Sequence, residues 1–149
     1  MIILYIFIIL LVTGCEDKAT QQNIIEETVI KYNTALTRAY KKLSFDPLRE
    51  LTTERQYTRV FSYIMAYADL DQEIEAKLDK IKIERVVIKN NTATVITSES
   101  WRYKRLMRQT GKPVTAERMY NYKVEYRLIK DKDSLWKVDE IKILEEEIK

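Results

Sequence analysis

The sequence predicts an α+β fold in which three N-terminal helices pack on a curved, four-stranded antiparallel sheet. Up to about residue 78, apolar side chains recur every three or four positions, which is typical of amphipathic helices. From residue 81 onward they alternate with polar side chains, which is typical of strands. Helices followed by a run of strands indicate the α+β class, with the helices covering one aromatic face of the sheet.

Residues 1–14 are predicted to form a signal peptide. Residues 2–12 are unbroken apolar, too short for a membrane span of about 20 residues but as long as the apolar region of an export signal. The segment Val12-Thr13-Gly14-Cys15 resembles the lipobox of bacterial lipoproteins. The resemblance implies cleavage before Cys15, acylation of that cysteine, and attachment to a membrane on the exported side, in the cell envelope.

The N-terminal segment departs from that pattern in one respect, since no Lys or Arg precedes the apolar run. Either the terminal amine supplies enough positive charge or translation starts upstream. The alternatives to a lipoprotein are an uncleaved hydrophobic anchor and a buried helix that carries a cysteine by chance. Under the lipoprotein interpretation, residues 15–22 form a lipidated tether and residues 23–149 form a single domain.

The composition excludes several classes of chemistry. Cys15 is the only cysteine and the chain has no histidine, so disulfides within the chain and histidine bases are absent. Once Cys15 is lipidated, no thiol remains to act as a nucleophile. Gly111 is the only glycine after the signal, which rules out glycine-rich phosphate loops. The sequence therefore implies no cofactor and no metal.

A long amphipathic helix is expected after the tether, with Thr20 as a plausible N-cap. Its apolar stripe comprises Ile25, Val29, Tyr32, Leu36, Ala39 and Leu43. Such a stripe can belong to a coiled-coil seam or to a single helix facing a core. The single helix is favoured because the heptads stop after about three repeats.

Two further helices are predicted before the sheet. Asp46-Pro47 supplies an N-cap followed by proline at the first helical position. The third helix begins near Thr53, and we expect Ile74 and Leu78 to belong to its continuation. Residues 69–73 are rich in carboxylates but lack the glycine turn and spacing of a calcium loop, which favours a solvated helix boundary.

The strands are delimited by turn residues. Asn90-Asn91 is a two-residue hairpin turn after the strand that starts at Ile81, because asparagine tolerates positive φ. A long strand is predicted for residues 92–109, a return strand for 120–128 after a turn at 111–113, and a closing strand for 135–143. Residues 145–147 are predicted to be a polar tail.

This order of elements resembles the nuclear transport factor 2-like superfamily, a cone of curved sheet around a long first helix. The likeness lies in residues 92–95, the strand through Trp101 and Tyr103, residues 122–128, and Leu135-Trp136-Lys137-Val138-Asp139. Within the superfamily the chain is most similar to the intermembrane-space-type module of plastid-division proteins. The superfamily includes isomerases, cyclases and many non-catalytic binding modules, so the fold alone does not determine function.

A candidate ligand pocket is expected inside the cone. On the presumed inner face lie Glu99, Trp101, Tyr103, Tyr122 and Tyr126. A carboxylate in an apolar cavity could transfer protons, and tyrosines offer an apolar body with a polar tip. The alternatives are that Glu99 lies near the mouth, pairs with Arg105 or is turned outward by a bulge, and that the tyrosines are core and rim.

A candidate basic docking surface is predicted on the hairpin after Trp101. It comprises Arg102, Lys104, Arg108, Lys112 and Arg118, opposed locally only by Glu117. With a tether holding it near a membrane, such a surface would suit anionic phospholipid or an acidic partner. The alternative, a solvated strand face, is favoured.

Two functions compete on the sequence alone. The leading one is a membrane-tethered, non-catalytic binding or scaffolding lipoprotein, with the bilayer as one partner and an envelope protein or small apolar ligand as another. The second is a tethered isomerase-like or cyclase-like enzyme that uses Glu99 and a tyrosine. An exported location disfavours nucleic acid, and a homodimer through the outer sheet face stays open.

Overall fold

The computed structural model describes residues 18–149, which form three helices followed by four strands. The predicted signal peptide and Cys15 lie outside the described residues. The elements in chain order are α1 (Lys18–Lys42), α2 (Asp46–Leu51), α3 (Glu54–Ala68), β1 (Gln72–Lys89), β2 (Thr92–Met107), β3 (Arg118–Lys130) and β4 (Trp136–Ile148). No helix in this part of the chain is long and apolar enough to span a bilayer.

Helix α1 begins at Lys18, within the segment assigned to the tether, and Thr20 is therefore a helical residue rather than its N-cap. Its apolar stripe faces the core as a single helix, with Ile25, Val29 and Ala39 fully buried. Helix α3 is capped as its sequence suggests, since the side chain of Thr53 accepts a hydrogen bond from the backbone N–H of Gln56.

The sheet is an antiparallel meander in the order β1-β2-β3-β4. Asn90 adopts φ = 52° in the predicted turn between β1 and β2. β1 carries two register shifts against β2, after Leu78 and after Ile83. Such bulges bend a strand and increase its twist, which suits a sheet that curves around a helix.

The predicted continuation of α3 through Ile74 and Leu78 is wrong, because both residues lie in β1. α3 ends at Ala68, and the chain turns through Asp69 and Leu70 to Asp71, whose φ is 57°. Ile74 and Leu78 are four residues apart, a spacing that one helix face and one strand face share. Periodicity could not distinguish the two states there.

The predicted polar tail is also wrong, because residues 145–147 are part of β4. This strand continues to Ile148, which pairs with Tyr120, and the carboxylate-rich segment pairs with residues 121–123 of β3. β2 ends at Met107 rather than at Gln109. An edge strand can carry consecutive charged residues because much of its surface remains in water, so polarity did not mark the end of the strand.

The core lies between α1 and the concave face of the sheet. Its buried members include Ile25, Val29, Leu48, Ile64, Ala93, Val95, Leu128, Trp136 and Val138. A polar cluster joins the start of α3 to β3 and β4, where Asp139 accepts hydrogen bonds from Thr53 (3.0 Å), Arg55 (2.7 Å) and Arg127. The first half of α1 packs against this core, and its second half borders a cavity.

Candidate functional site

An open cavity of about 1080 Å³ lies between the second half of α1, α3 and the concave face of β2 and β3. Eight of the nine tyrosines among the described residues line it, together with one tryptophan. These aromatic residues are Tyr32, Tyr40, Tyr63, Tyr67, Trp101, Tyr103, Tyr120, Tyr122 and Tyr126. A concave, largely aromatic cavity with a few polar groups is the usual form of a small-molecule site.

Glu99 closes the inner end of the cavity and is 4% exposed. Its Oε1 accepts hydrogen bonds from the hydroxyls of Thr97 (2.7 Å) and Tyr126 (2.6 Å), and its Oε2 accepts one from Trp101 Nε1 (2.6 Å). A carboxylate offers about four acceptor positions, so three are occupied by the protein itself. Glu99 therefore neither pairs with Arg105 nor turns outward.

A polar contact from α1 completes this inner end. Asn33 is buried, and its Nδ2 donates to the hydroxyl of Tyr126 at 3.0 Å and to the backbone carbonyl of Val29 at 3.2 Å. Gln56 of α3 donates from Nε2 to the hydroxyl of Tyr32 at 3.4 Å. No buried side-chain nitrogen or oxygen of the described residues lacks a hydrogen-bond partner.

The sheet side of the cavity is a continuous aromatic wall. Trp101 stacks on Tyr103 with ring centroids 5.5 Å apart, and Tyr120 stacks on Tyr122 at 5.7 Å. Tyr103 meets Tyr120 edge to face at 5.7 Å, which joins the two pairs. Tyr40 of α1 packs edge to face on Tyr103 at 6.4 Å, so this wall continues onto the helix layer.

The hydroxyls of Tyr32, Tyr63, Tyr103 and Tyr126, which line the cavity, are held in the neutral form. Burial raises the pKa of Tyr32 to about 12. Burial also raises the pKa of Tyr63 to about 12, with a contribution from its hydrogen bond to Tyr67. The pKa of Tyr103 and that of Tyr126 are also raised, first by burial, and in each the charge of Glu99 adds to the increase. These hydroxyls are therefore hydrogen-bond donors and acceptors at neutral pH.

The mouth of the cavity is cationic. Arg59, Lys104, Arg105 and Arg118 line it, whereas Glu99 at the inner end is the only carboxylate among the described lining residues. Lys104 forms an ion pair with Glu75 at 2.9 Å, and Arg105 donates to Gln72 at 3.3 Å. Within residues 18–149, Arg59 and Arg118 are exposed and make no ion pair or side-chain hydrogen bond.

The predicted basic surface does not form one patch. Arg102 donates two hydrogen bonds to Asp79, at 2.6 Å and 2.8 Å, in addition to its contact with Glu117. Carboxylates of β1 thus oppose the hairpin, contrary to the expectation that only Glu117 does so. Arg108 and Lys112 are exposed in the turn after β2, and Arg118 lies at the cavity mouth.

All five predicted pocket residues line one cavity, namely Glu99, Trp101, Tyr103, Tyr122 and Tyr126. Sequence reasoning missed Asn33 and Arg59, and it assigned Arg118 to the basic hairpin surface rather than to the mouth of the cavity. Asn33 follows Val29 by four residues on the buried stripe of α1, and a polar residue on an apolar stripe was the available signal. No comparable signal marked Arg59, because an arginine on an amphipathic helix usually faces solvent.

Comparisons with solved structures identify the fold. The intermembrane space region of chloroplast protein ARC6 superposes with a TM-score of 0.68 at 20% identity, over 86% of this chain and 96% of that one. A ketosteroid isomerase-like protein from Erwinia carotovora atroseptica gives 0.55 at 14% identity, over 83% and 95%. A nuclear transport factor 2-like superfamily protein from Salmonella enterica gives 0.55 at 9% identity, over 83% and 91%.

No protein-family model matches the sequence, and no curated protein matches it significantly. The chain has the nuclear transport factor 2-like α+β fold, which confirms the predicted fold class. Within residues 18–149, no group of three or more His, Cys, Asp or Glu side chains could hold a metal ion.

Proposed function

We propose that this chain is a lipid-anchored, non-catalytic protein of the bacterial cell envelope that binds a small amphipathic molecule in its aromatic cavity. The observation that carries the proposal is the combination of an open cavity of about 1080 Å³ with an inner carboxylate already satisfied by the protein. A site of that size takes up a small molecule. Three of the hydrogen bonds that Glu99 can accept come from side chains of the sheet, and they hold Trp101 and Tyr126 in place.

The geometry of α1 supports a specific arrangement relative to the anchor. Tyr32 of α1 packs on Tyr126, which pairs with Val95 near the start of β2. Tyr40, two turns later in α1, packs on Tyr103 near the end of β2. α1 and β2 therefore run in the same direction, and Lys18 lies at the end opposite the cavity mouth. At 1.5 Å per residue, Lys18 and Tyr40 are about 33 Å apart along the helix.

A lipid on Cys15 would then place the mouth away from the membrane. The three residue steps from Cys15 to Lys18 span at most about 11 Å, so the N-terminal end of α1 stays near the headgroups. Under this proposal the ligand enters from the aqueous side. The hairpin with Arg108 and Lys112 also lies at the distal end, which favours a soluble partner over the anchoring bilayer for that surface.

Two measurements test the proposal. Mass spectrometry of the protein from its native membranes should find a chain that begins at acylated Cys15, and an unmodified Cys15 or a retained Met1 would refute the anchor. Extraction of the purified lipoprotein with organic solvent, followed by mass spectrometry, should release a small molecule. The test variant is Trp101→Ala with Tyr103→Ala, which removes one stacked pair of the wall. The same extraction from this variant should release none of that molecule.

An enzyme is the second candidate, and one observation favours it. Glu99 lies beside the tyrosine hydroxyl of Tyr126 at the inner end of a cavity, and one structural neighbour is named as ketosteroid isomerase-like. A carboxylate and a tyrosine so placed could move a proton on a bound substrate. If a turnover is found, Glu99→Gln should abolish it under this candidate and leave it intact if Glu99 is structural.

A further inference from the structure

We infer that the ligand of the cavity is an amphipathic anion, with an aromatic or alicyclic body against the tyrosine wall and an acidic group at Arg59 and Arg118. This inference rests on the proposed function and names its ligand class. It follows from three features of the cavity: the sign of the charge at its mouth, the absence of competing partners there, and the character of its walls.

The mouth selects the sign of the ligand charge. Arg59 and Arg118 line the cavity and are exposed, and neither makes an ion pair or side-chain hydrogen bond with another residue of the described part of the chain. Elsewhere in the sheet, Arg102 is paired with Asp79 and Arg127 with Asp139, so their positive charge is already matched. Guanidinium groups present paired donors that match the geometry of a carboxylate, phosphate or sulfonate.

The inner end repels a second negative charge. Among residues 18–149, Glu99 is the one carboxylate lining the cavity, and its donors come from Thr97, Trp101 and Tyr126. An acidic group placed beside it would meet a like charge in a site of low dielectric. The anion of the ligand therefore belongs at the mouth, and the body of the ligand points inward.

The walls between the two ends suit a flat apolar body. The stacked pairs Trp101 with Tyr103 and Tyr120 with Tyr122 present ring surfaces, and Tyr40 faces them from α1. Ring systems gain from stacked and edge-to-face contact with such surfaces. The neutral tyrosine hydroxyls can pair with hydroxyl or carbonyl groups on the ligand.

Isothermal titration calorimetry on the lipidated protein in zwitterionic nanodiscs tests the inference, with empty nanodiscs subtracted. The probes are 2-naphthoate, its neutral isostere 2-naphthamide, and the cation 2-naphthylmethylammonium. We expect 2-naphthoate to bind about tenfold more tightly than the amide, as a charge-assisted contact in a partly exposed site implies. The cation should bind most weakly, and added salt should reduce the preference for the anion.

The variant pair assigns the effect to the mouth. Arg59→Gln with Arg118→Gln should remove the preference for the anion, so that 2-naphthoate binds no more tightly than the amide, whereas Arg59→Lys with Arg118→Lys should keep part of the preference. Arg38→Gln with Arg85→Gln is the control, because it changes the net charge equally at exposed residues that do not line the cavity. This control should keep the full preference.

The outcomes separate this inference from the proposed function. If the anion and the amide bind equally, or if the control variant loses the preference as well, the ligand class is wrong while a binding cavity remains. If none of the probes binds and solvent extraction releases nothing, the proposed function fails with it. Unchanged thermal unfolding of each variant shows that a loss of binding is not a loss of fold.

Discussion

Tyr126 on β3 donates a hydrogen bond of 2.6 Å to Glu99 on β2, and both side chains are buried at the inner end of the cavity. Asn33 of α1 donates to the same tyrosine hydroxyl at 3.0 Å. One hydroxyl thereby joins the helix layer to two strands. The polar floor of the cavity is thus a structural element of the fold, and its loss should be measurable as stability.

Replacing Glu99 should destabilise the domain by an amount that depends on the replacement. Glu99→Gln keeps an acceptor for Trp101 Nε1 and should cost about 1–2 kcal/mol in the free energy of unfolding. Glu99→Leu leaves the Thr97 hydroxyl and Trp101 Nε1 without an acceptor, and it leaves Tyr126 only its longer contact with Asn33 Oδ1 at 3.3 Å. This replacement should cost about 3 kcal/mol or more. Urea unfolding measures both, with Glu125→Gln on the convex face as the control. Equal costs for the two replacements would contradict the structural role.

Removing the hydroxyl of Tyr126 should cost more than removing one from a neighbouring wall residue. Tyr126→Phe deletes a donor to Glu99 and an acceptor of Asn33, and should reduce the free energy of unfolding by about 1–2 kcal/mol. Tyr122→Phe is the matched control, since Tyr122 is half-buried with no hydrogen bond from its hydroxyl in the described structure. Similar values for both would show that the floor contributes no specific stability.

Asp139 should make stability depend on acid pH. Burial would raise its pKa, but hydrogen bonds from Arg127 and Thr53 and the charge of Arg55 hold the pKa below its ordinary value. A lowered carboxyl pKa contributes stability that is present above the unfolded pKa, about 3.9, and is lost as pH falls through the folded pKa. The urea concentration at the midpoint of unfolding should therefore decrease as the pH is lowered below about 4.

Asp139→Asn is the test of that assignment. The variant should be about 2 kcal/mol less stable at pH 7 because the arginines lose their ionised partner. It should also show a flatter acid dependence. If wild type and variant lose stability in parallel below pH 4, other carboxylates are responsible.

The buried tyrosines should make the domain sensitive to alkali. The pKa of Tyr32 is raised to about 12 by burial, against about 10 in an unfolded chain. A raised folded pKa gives stability that is complete below the unfolded pKa and is lost as pH rises through the folded one. Tyrosinate absorbance should therefore appear at a higher pH in the folded protein than in the protein unfolded in urea. The folded protein should unfold once its buried tyrosines ionise. A titration identical in both conditions would contradict the enclosed wall.

Labels at the two ends of the domain should report its orientation. With Cys15 acylated, Asn91→Cys and Thr110→Cys each introduce a unique free thiol. A fluorophore at position 91 should be quenched by a quencher attached to lipid headgroups, whereas one at position 110 should not. Stronger quenching at position 110 would place the mouth and the hairpin on the bilayer and reject the arrangement proposed here.

Local patterns predicted most of the fold because they reflect the environment of each residue. The alternation from residue 92 placed Glu99, Trp101 and Tyr103 on one face, and all three line the cavity. The stripe on α1 identified the helix that covers them. The prediction that α3 continues through Ile74 was wrong because the spacing from Ile74 to Leu78 fits helix and strand alike. The prediction of a polar tail at residues 145–147 was wrong because an edge strand tolerates charge.

The sequence by itself determined which residues face inward, since burial of apolar surface imposes a period of about 3.6 residues on a helix and 2 on a strand. It also determined the chemistry that is absent, through its lack of histidine and its single cysteine. Only the tertiary structure decided which charges find partners, and it left Arg59 and Arg118 open at the mouth while pairing Arg102. That choice depends on distances between side chains remote in sequence, which no local pattern contains.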